Sequence, residues 1–451
     1  MLDFSFILMC VVFSITVILM LWRPFGINET VPTVTGAIII LLAGIVPLSD
    51  VAAIYNIISG AAITILSTIV MSIVLESVGF FRWIAYNLVN KSNGSGIKLF
   101  INVNLLCFLT TLFFNNDGSI LITTPIIIHI TSLLQLKRHQ KIPYLISGAI
   151  TATVSSAPIA VSNIANLIAL KIVGLDLNSY VNMMFIPSML GIIVITTLIF
   201  FYYRKDIPVK ISSQKLYLSG NTSKYPRHPL AMPSSLTSHE VDWKMFRICI
   251  AIVIFVRGGF FLLTPIGVPM EGLAIGGAVA LILVRWLKSR KGITDIVKRT
   301  PWHIFLFAFG MYVLVYGLHN IGLSHYLTMQ LKDYVDGSLL GGTLVIGVLL
   351  TALSNVLNNL PAVMIGTLAI VDMGLDTHSL QVAYLAIVLG SDVGALLTPI
   401  GTLATLIWMF ILKSNNIHIS WKEYMKLTFF VIPVGLFVSL IALYLWNGFI
   451  L

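Results

Sequence analysis

Charge is what this chain has least of: only 10% of its 451 residues are Asp, Glu, Lys or Arg, while 58% are hydrophobic. Soluble domains carry roughly a quarter charged residues, so water is excluded as the main solvent. Cysteine is nearly absent as well. Cys10, Cys107 and Cys249 lie in separate apolar segments with no C-x-x-C or Cys/His spacing, which speaks against a disulfide framework and against a zinc site. We expect no metal and no cofactor. No basic residue precedes the first apolar run and no small-residue cleavage site follows it, so we expect a retained membrane span there and not a signal peptide. The net charge of +10 would suit nucleic acid, but the Lys and Arg residues sit in short loops beside apolar runs, as cytoplasmic loops do. Nucleic acid is therefore not an expected partner; a lipid bilayer is.

What the chain has in abundance is long apolar runs: Phe4 to Trp22, Val31 to Pro47, Ile58 to Val78, Met183 to Tyr203, Met245 to Thr264, Pro269 to Leu287, Ile304 to Gly322 and Leu427 to Trp446. At ~1.5 Å per residue, about twenty such residues cross a ~30 Å hydrocarbon core. The expected fold is all-α and polytopic, with about ten transmembrane helices plus two helical hairpins.

Taking the basic loops as cytoplasmic (Arg23; Arg82 to Lys98; Lys137 to Lys141; Arg204 to Lys215; Arg285 to Arg299; Lys413 to Lys426) makes the crossings alternate except at two segments. Residues 99–136 leave a basic loop and return to one, with Asn115-Asn116-Asp117-Gly118 at the midpoint. Residues 339–371 leave and return on the other side, with Asn358-Asn359-Leu360-Pro361 at the tip and a second arm, Ala362 to Val371, too short to span. Both are read as hairpins, the second as re-entrant. Loops poor in basic residues, among them Lys332 to Gly337, fall outside, as do both termini.

These landmarks recur. Gly79 and Gly322, and Asn115 and Asn358, are separated by the same 243 positions (322 − 79 and 358 − 115), and Pro158 and Pro399 by 241. An odd number of crossings between matching landmarks places the halves in opposite orientation, the plan of two inverted-topology repeats with interrupted helices. Residues 1–203 form the first repeat (hairpin 99–136, broken helix 143–170), 204–244 a Ser/Pro/Lys-rich cytoplasmic linker, and 245–451 the second repeat (hairpin 339–371, broken helix 380–411). The segment from Gly79 to Asn90 is amphipathic and aromatic, and reads as an interfacial helix.

A helix can be interrupted at membrane depth only where the freed backbone groups are buried in protein or line a cavity, and the exposed half-helix ends suit a polar solute or ion. Four interruptions supply the candidate site. The tips contribute Asn115, Asn116, Asp117, Asn358 and Asn359. The first broken span contributes Ser155, Ser156, Ser162 and Asn163, and the second Asp392, Thr398 and Thr402. Single Ser, Thr and Asn residues also serve as ordinary glue between membrane helices; recurrence at matching positions favours the functional reading. Asp117 and Asp392 are the acids expected at membrane depth, where carboxylates mark proton or ion pathways. Arg257, inside the sixth span, is expected to pair with Glu271 on the next.

With these residues in view, the chain resembles the arsenical pump membrane protein family of the larger ion-transporter superfamily. The resemblance covers nearly the whole length and rests on Phe114 to Pro125, Pro158 to Asn163, Tyr203 to Pro208, Pro301-Trp302, Gly310 to Leu318, Asn358-Asn359 and Thr398 to Trp408. It implies a secondary transporter in the cell membrane, not an enzyme, that exports arsenite and antimonite in exchange for protons, sometimes with a cytoplasmic ATPase. The chain departs from the family pattern at Thr153, where an Asp is expected, and at Ala395-Leu396, where a Pro-Lys pair is. Two further transport readings belong to the superfamily, a sodium/proton antiporter and a carrier of small organic anions. Against the anion carrier stands the lack of Lys or Arg in either break. From another class, two intramembrane acids suggest an aspartyl protease, but Asn116 and Ser391 stand where one acid should follow a Gly.

Overall fold

The computed structural model describes residues 4–211, 243–289 and 292–450. Backbone groups in hydrocarbon must find partners within their own segment, and the apolar runs do so as helices. Among the described residues ten helices are long and apolar enough to cross a membrane. The first three are α1 (Phe4–Trp22), α2 (Thr30–Leu42) and α3 (Leu48–Ser77). Gly79, at φ 86, turns the chain from α3 into α4 (Phe80–Lys91); only a residue without Cβ adopts this left-handed conformation freely. There follow α5 (Gly96–Phe113), α6 (Asn116–Leu133), α7 (Arg138–Val154), α8 (Ile164–Val173) and α9 (Leu177–Tyr202). Of the expected linker, residues 212–242 lie outside the described ones. Its described start is held where Ile211 N donates to Gly94 O at 2.8 Å.

The second half follows a like order with one helix more: α10 (Trp243–Leu262), α11 (Met270–Ser289), the additional short α12 (Thr294–Arg299) and α13 (His303–Asn320), then a second left-handed glycine, Gly322 at φ 89, before α14 (Leu323–Gly337). Next come α15 (Leu339–Leu357), α16 (Asn359–Asp372), α17 (Thr377–Asp392), α18 (Leu403–Ser414) and α19 (Trp421–Leu445). Two sequence expectations need correction. Lys332 to Gly337 belongs to helix α14 and is not a loop; its polar face hides a helix from a hydropathy reading. The second arm of the 339–371 hairpin has 14 residues and not ten, because Pro361 falls in the first turn of α16, where no backbone donor is required.

The helices pack in two groups. One contains α1, α2, α3, α10, α11 and α13; the other contains α5 to α9 and α15 to α19, with α4 and α14 against both. The long helices α9 and α19 pack against each other at small residues. Gly191 faces Ser439 so closely that a Cβ would overlap its hydroxyl, the close approach that small residues permit between membrane helices. The groups meet where α13 touches α16 and α3 touches α8. Helix α17 lies within the second group, with 83% of its span enclosed by protein against 28% for α11, so the acid at its end is shielded from lipid.

Candidate transport site

Helix α7 stops at Ser155, and the chain runs through Pro158 and a 3-10 turn at Ala160–Ser162 before α8 starts at Asn163. Asn163 caps α8 by accepting Ala165 N at 3.0 Å, which satisfies one of the orphan amides of a helix start. In the second half α17 ends at Asp392, a 3-10 turn follows at Gly394–Leu397, and Thr402 caps α18 by accepting Thr405 N at 3.1 Å.

The two breaks meet at Asp392. Its carboxylate, fully buried, accepts from Ser156 Oγ at 2.7 Å, Asn166 Nδ2 at 2.7 Å and Asn163 Nδ2 at 2.8 Å. All three donors come from the first break or the turn after it. All are neutral, and no Lys or Arg pairs with Asp392 among the described residues. A carboxylate in such a place keeps its solvation only through these directed bonds. Two tyrosines brace the freed backbone: Tyr180 Oη donates to Ala157 O at 2.6 Å and Tyr384 Oη to Asn166 O at 2.7 Å. Two buried polar atoms of the first break and the turn after it, Ser162 Oγ and Asn166 Oδ1, have no hydrogen-bond partner among the described residues.

The first tip is a capped turn. Asn115 Oδ1 accepts Gly118 N at 2.7 Å and Asn116 Oδ1 accepts Asp117 N at 2.8 Å, while Thr110 and Ser119 hydroxyls meet at 2.7 Å across the hairpin. Asp117 is half-buried and lies within Coulomb reach of Asp392 and of Glu29. Glu29 is itself paired with Arg23 at 2.8 Å and with His303 at 3.9 Å.

The second tip docks on the second break. Asn358 Nδ2 donates to Ile400 O at 3.1 Å and Asn359 N to Gly401 O at 2.9 Å. Asn358 holds φ 82, ψ 157, a region populated almost only by glycine and costing on the order of 1–3 kcal/mol for other residues. Asn355, one turn earlier, carries the most contacts: its Nδ2 donates to Gly394 O at 2.9 Å, and its Oδ1 accepts Thr398 N and Thr398 Oγ1, both at 2.8 Å.

The structure therefore joins Ser156, Asn163 and Asp392 directly and gathers Asn358, Asn359 and Thr398 into a second cluster. Ser155 instead bonds back to Thr151 O at 2.5 Å, and Thr402 pairs with Thr405 at 2.8 Å. Asn355 was not among the expected site residues; a polar amide within an apolar helix next to a break was the available signal. The expected Arg257–Glu271 pair does not form. Arg257 donates through Nε to Phe113 O at 2.6 Å and through Nη2 to Phe114 O, at the end of α5. A cation therefore reaches the first tip from a different helix, while neither break contains Lys or Arg.

The family model described as arsenical pump membrane protein matches residues 8–447. A Bacillus subtilis (strain 168) protein that bears this name provisionally is 46% identical over 435 residues, 96% of this chain and 98% of its own length. An Escherichia coli arsenical pump membrane protein is 32% identical over 441 residues, 98% of this chain and 99% of its own. Among solved structures, the Alcanivorax borkumensis YdaH transporter, whose topology is described as unusual, superposes with a TM-score of 0.57 at 11% identity, covering 89% of this chain and 88% of that one; this likeness bears on the fold alone. With a family match along nearly its full length, the chain is a membrane transporter and belongs to the arsenical pump membrane protein family.

Proposed function

We propose that the chain exports arsenite, and antimonite by the same route, from the cell in exchange for protons, with Asp392 as the coupling carboxylate. The single observation behind this reading is the setting of Asp392, a buried acid bonded by three neutral donors with no countercharge among the described residues. A group in that setting can be neutralised by taking up a proton on one half of the cycle and re-ionised by releasing it on the other. Arsenite at neutral pH is mostly an uncharged trihydroxy acid, and the amides and hydroxyls around the breaks, including the unpartnered Ser162 Oγ and Asn166 Oδ1, are the neutral groups such a solute needs.

The same proposal takes the two halves as inverted repeats, with the cell membrane crossed many times, both termini outside and the loop at Lys205 in the cytoplasm. A cysteine at Lys205 that reacts with an impermeant reagent on intact cells would sink that topology. A cytoplasmic ATPase is an accessory in this scheme and not the energy source. Everted vesicles from cells lacking such an ATPase are expected to accumulate arsenite, to lose the uptake when a proton uncoupler is added, and to retain it after Cys10, Cys107 and Cys249 are all replaced. Uptake indifferent to the uncoupler would overturn proton exchange. No uptake by a correctly inserted protein would overturn the substrate.

A further inference from the structure

Arg257 lies 14 residues past the first residue of α10 (257 − 243) and is 7% exposed. That is about 21 Å along the helix, with its far end at Leu262 five residues further on (262 − 257). An arginine within an apolar span is costly and rare, and such residues usually mark a functional position. No carboxylate forms an ion pair with it among the described residues. What it has instead is the end of another helix. The last carbonyls of α5 have no intrahelical donor and carry the negative end of the helix dipole, and Arg257 spans two of them, Phe113 O and Phe114 O, with Nε and Nη2. Its guanidinium also lies 5.5 Å from the Phe260 ring, and Phe81 of α4 packs on Phe114 at 6.0 Å between centroids.

We propose that Arg257 is a positioning residue of the transport site, which fixes the first tip from a helix outside the hairpin. The inference rests on the transport reading above and deepens it. Phe114 is the last residue before the turn whose amides are capped by Asn115 and Asn116. Holding the peptides on both sides of Phe114 sets the direction in which α6 departs. It thereby sets where Asp117 stands relative to Asp392. A hydroxyl or a water could cap one carbonyl; only the planar fork of an arginine caps two at once with fixed angles. α10 belongs to the group of helices that holds α1 to α3, and α5 to the other group, so the bond also ties the tip to a separate body.

The test uses full-length protein without its native cysteines and with one introduced by Leu112→Cys, at a half-buried position near the end of α5. Three forms are compared: Arg257, Arg257→Lys and Arg257→Gln. Removal of the fork is expected to speed maleimide labelling at position 112 at least tenfold in Arg257→Gln. Arsenite uptake per inserted molecule is expected to fall at least tenfold, with Arg257→Lys intermediate in both. Labelling within twofold of the parent, or full uptake per inserted molecule in Arg257→Gln, overturns the proposal. If Arg257→Gln does not insert, the same two readings on Arg257→Lys decide. If the parent carries no arsenite, the labelling still judges Arg257, and the failure of flux falls on the substrate reading alone.

Discussion

The two hairpin tips share an Asn-Asn pair and little else. The first is held from outside by Arg257 of α10 and Phe81 of α4. The second is held from within, by Asn355 and Asn358 of its own hairpin bonding the backbone of the second break. The breaks divide the work in the same way: the first supplies three neutral donors and the second supplies the acid. At the spacing of 241 that separates Pro158 from Pro399, Asp392 falls opposite Thr151, which donates to Asn104 Oδ1 at 2.7 Å. The halves have in common the places where the backbone is interrupted, and they differ in the side chains that exploit it. One helix break alone holds no carboxylate and the other alone cannot solvate one.

The largest effect that would break this division is at Asp392. Asp392→Asn is expected to abolish uncoupler-sensitive arsenite uptake, while Asn163→Ala should reduce it ten- to hundredfold. The second figure follows from the roughly 1.5–3 kcal/mol of one hydrogen bond to a charged group. Thr151→Ala, 241 positions earlier, should leave uptake within about fivefold of wild type, since its one side-chain bond is neutral and worth roughly 1 kcal/mol. Equal losses at Thr151 and Asp392 would mean that the halves do not divide the chemistry.

The next effect concerns the tips. Asn355→Ala strands Gly394 O and Thr398 N in the protein interior, at a cost on the order of 1–3 kcal/mol for each polar group left unpaired, and should lower both thermal stability in detergent and uptake. At the spacing of 243 that separates Asn115 from Asn358, Asn355 falls opposite Leu112 (355 − 112), whose side chain has no polar atom with which to hold a backbone. Leu112 is half-buried, so Leu112→Ala should cost less than the roughly 2–5 kcal/mol of a leucine truncated in a core. It should leave uptake per inserted molecule close to that of wild type, because the first tip is anchored elsewhere. Loss of uptake in Leu112→Ala as deep as in Asn355→Ala would mean that both tips are held from within their own hairpins.

The smallest effect is at two helix caps. Asp176 and Asp376 each accept two backbone amides at the starts of α9 and α17, Asp176 from Asn178 and Ser179 at 3.0 Å and Asp376 from His378 at 3.0 Å and Ser379 at 3.1 Å. Burial pushes the Asp176 carboxyl up, but the bonds from Ser179 and Asn178 outweigh it and leave the group below its ordinary value. Asp376 is lowered chiefly by the bond from Ser379. With the folded value depressed, the caps contribute fully above the ordinary aspartate pKa of about 3.9 and lose their contribution as pH falls through the lower folded value. Asp176→Ala should cost about 1 kcal/mol at neutral pH and flatten the acid limb of a stability profile. A variant as acid-sensitive as wild type would show that other carboxylates set that limb.

Much of the architecture was legible because it is local. Hydrocarbon obliges each span to satisfy its own backbone, so apolar length marks a helix, while Asn, Pro and Gly within such a run mark an interruption. The end of α1 at Trp22, the turn at Gly79 and the break at Asn115 can all be read in this way. Where local signals were mixed the reading slipped: α14 is a helix whose polar face resembles a loop, and α16 starts at Asn359 because its proline lies in the first turn. What only tertiary structure decided is which groups meet. Ser156 lies 236 positions from Asp392, and Arg257 lies 144 from Phe113. Composition marks both as polar groups at depth in need of a partner, and the burial of an unpaired charge is costly enough to make some partner obligatory. The choice among partners depends on how helices distant in the chain are packed side by side, and no period or spacing along one segment carries that information.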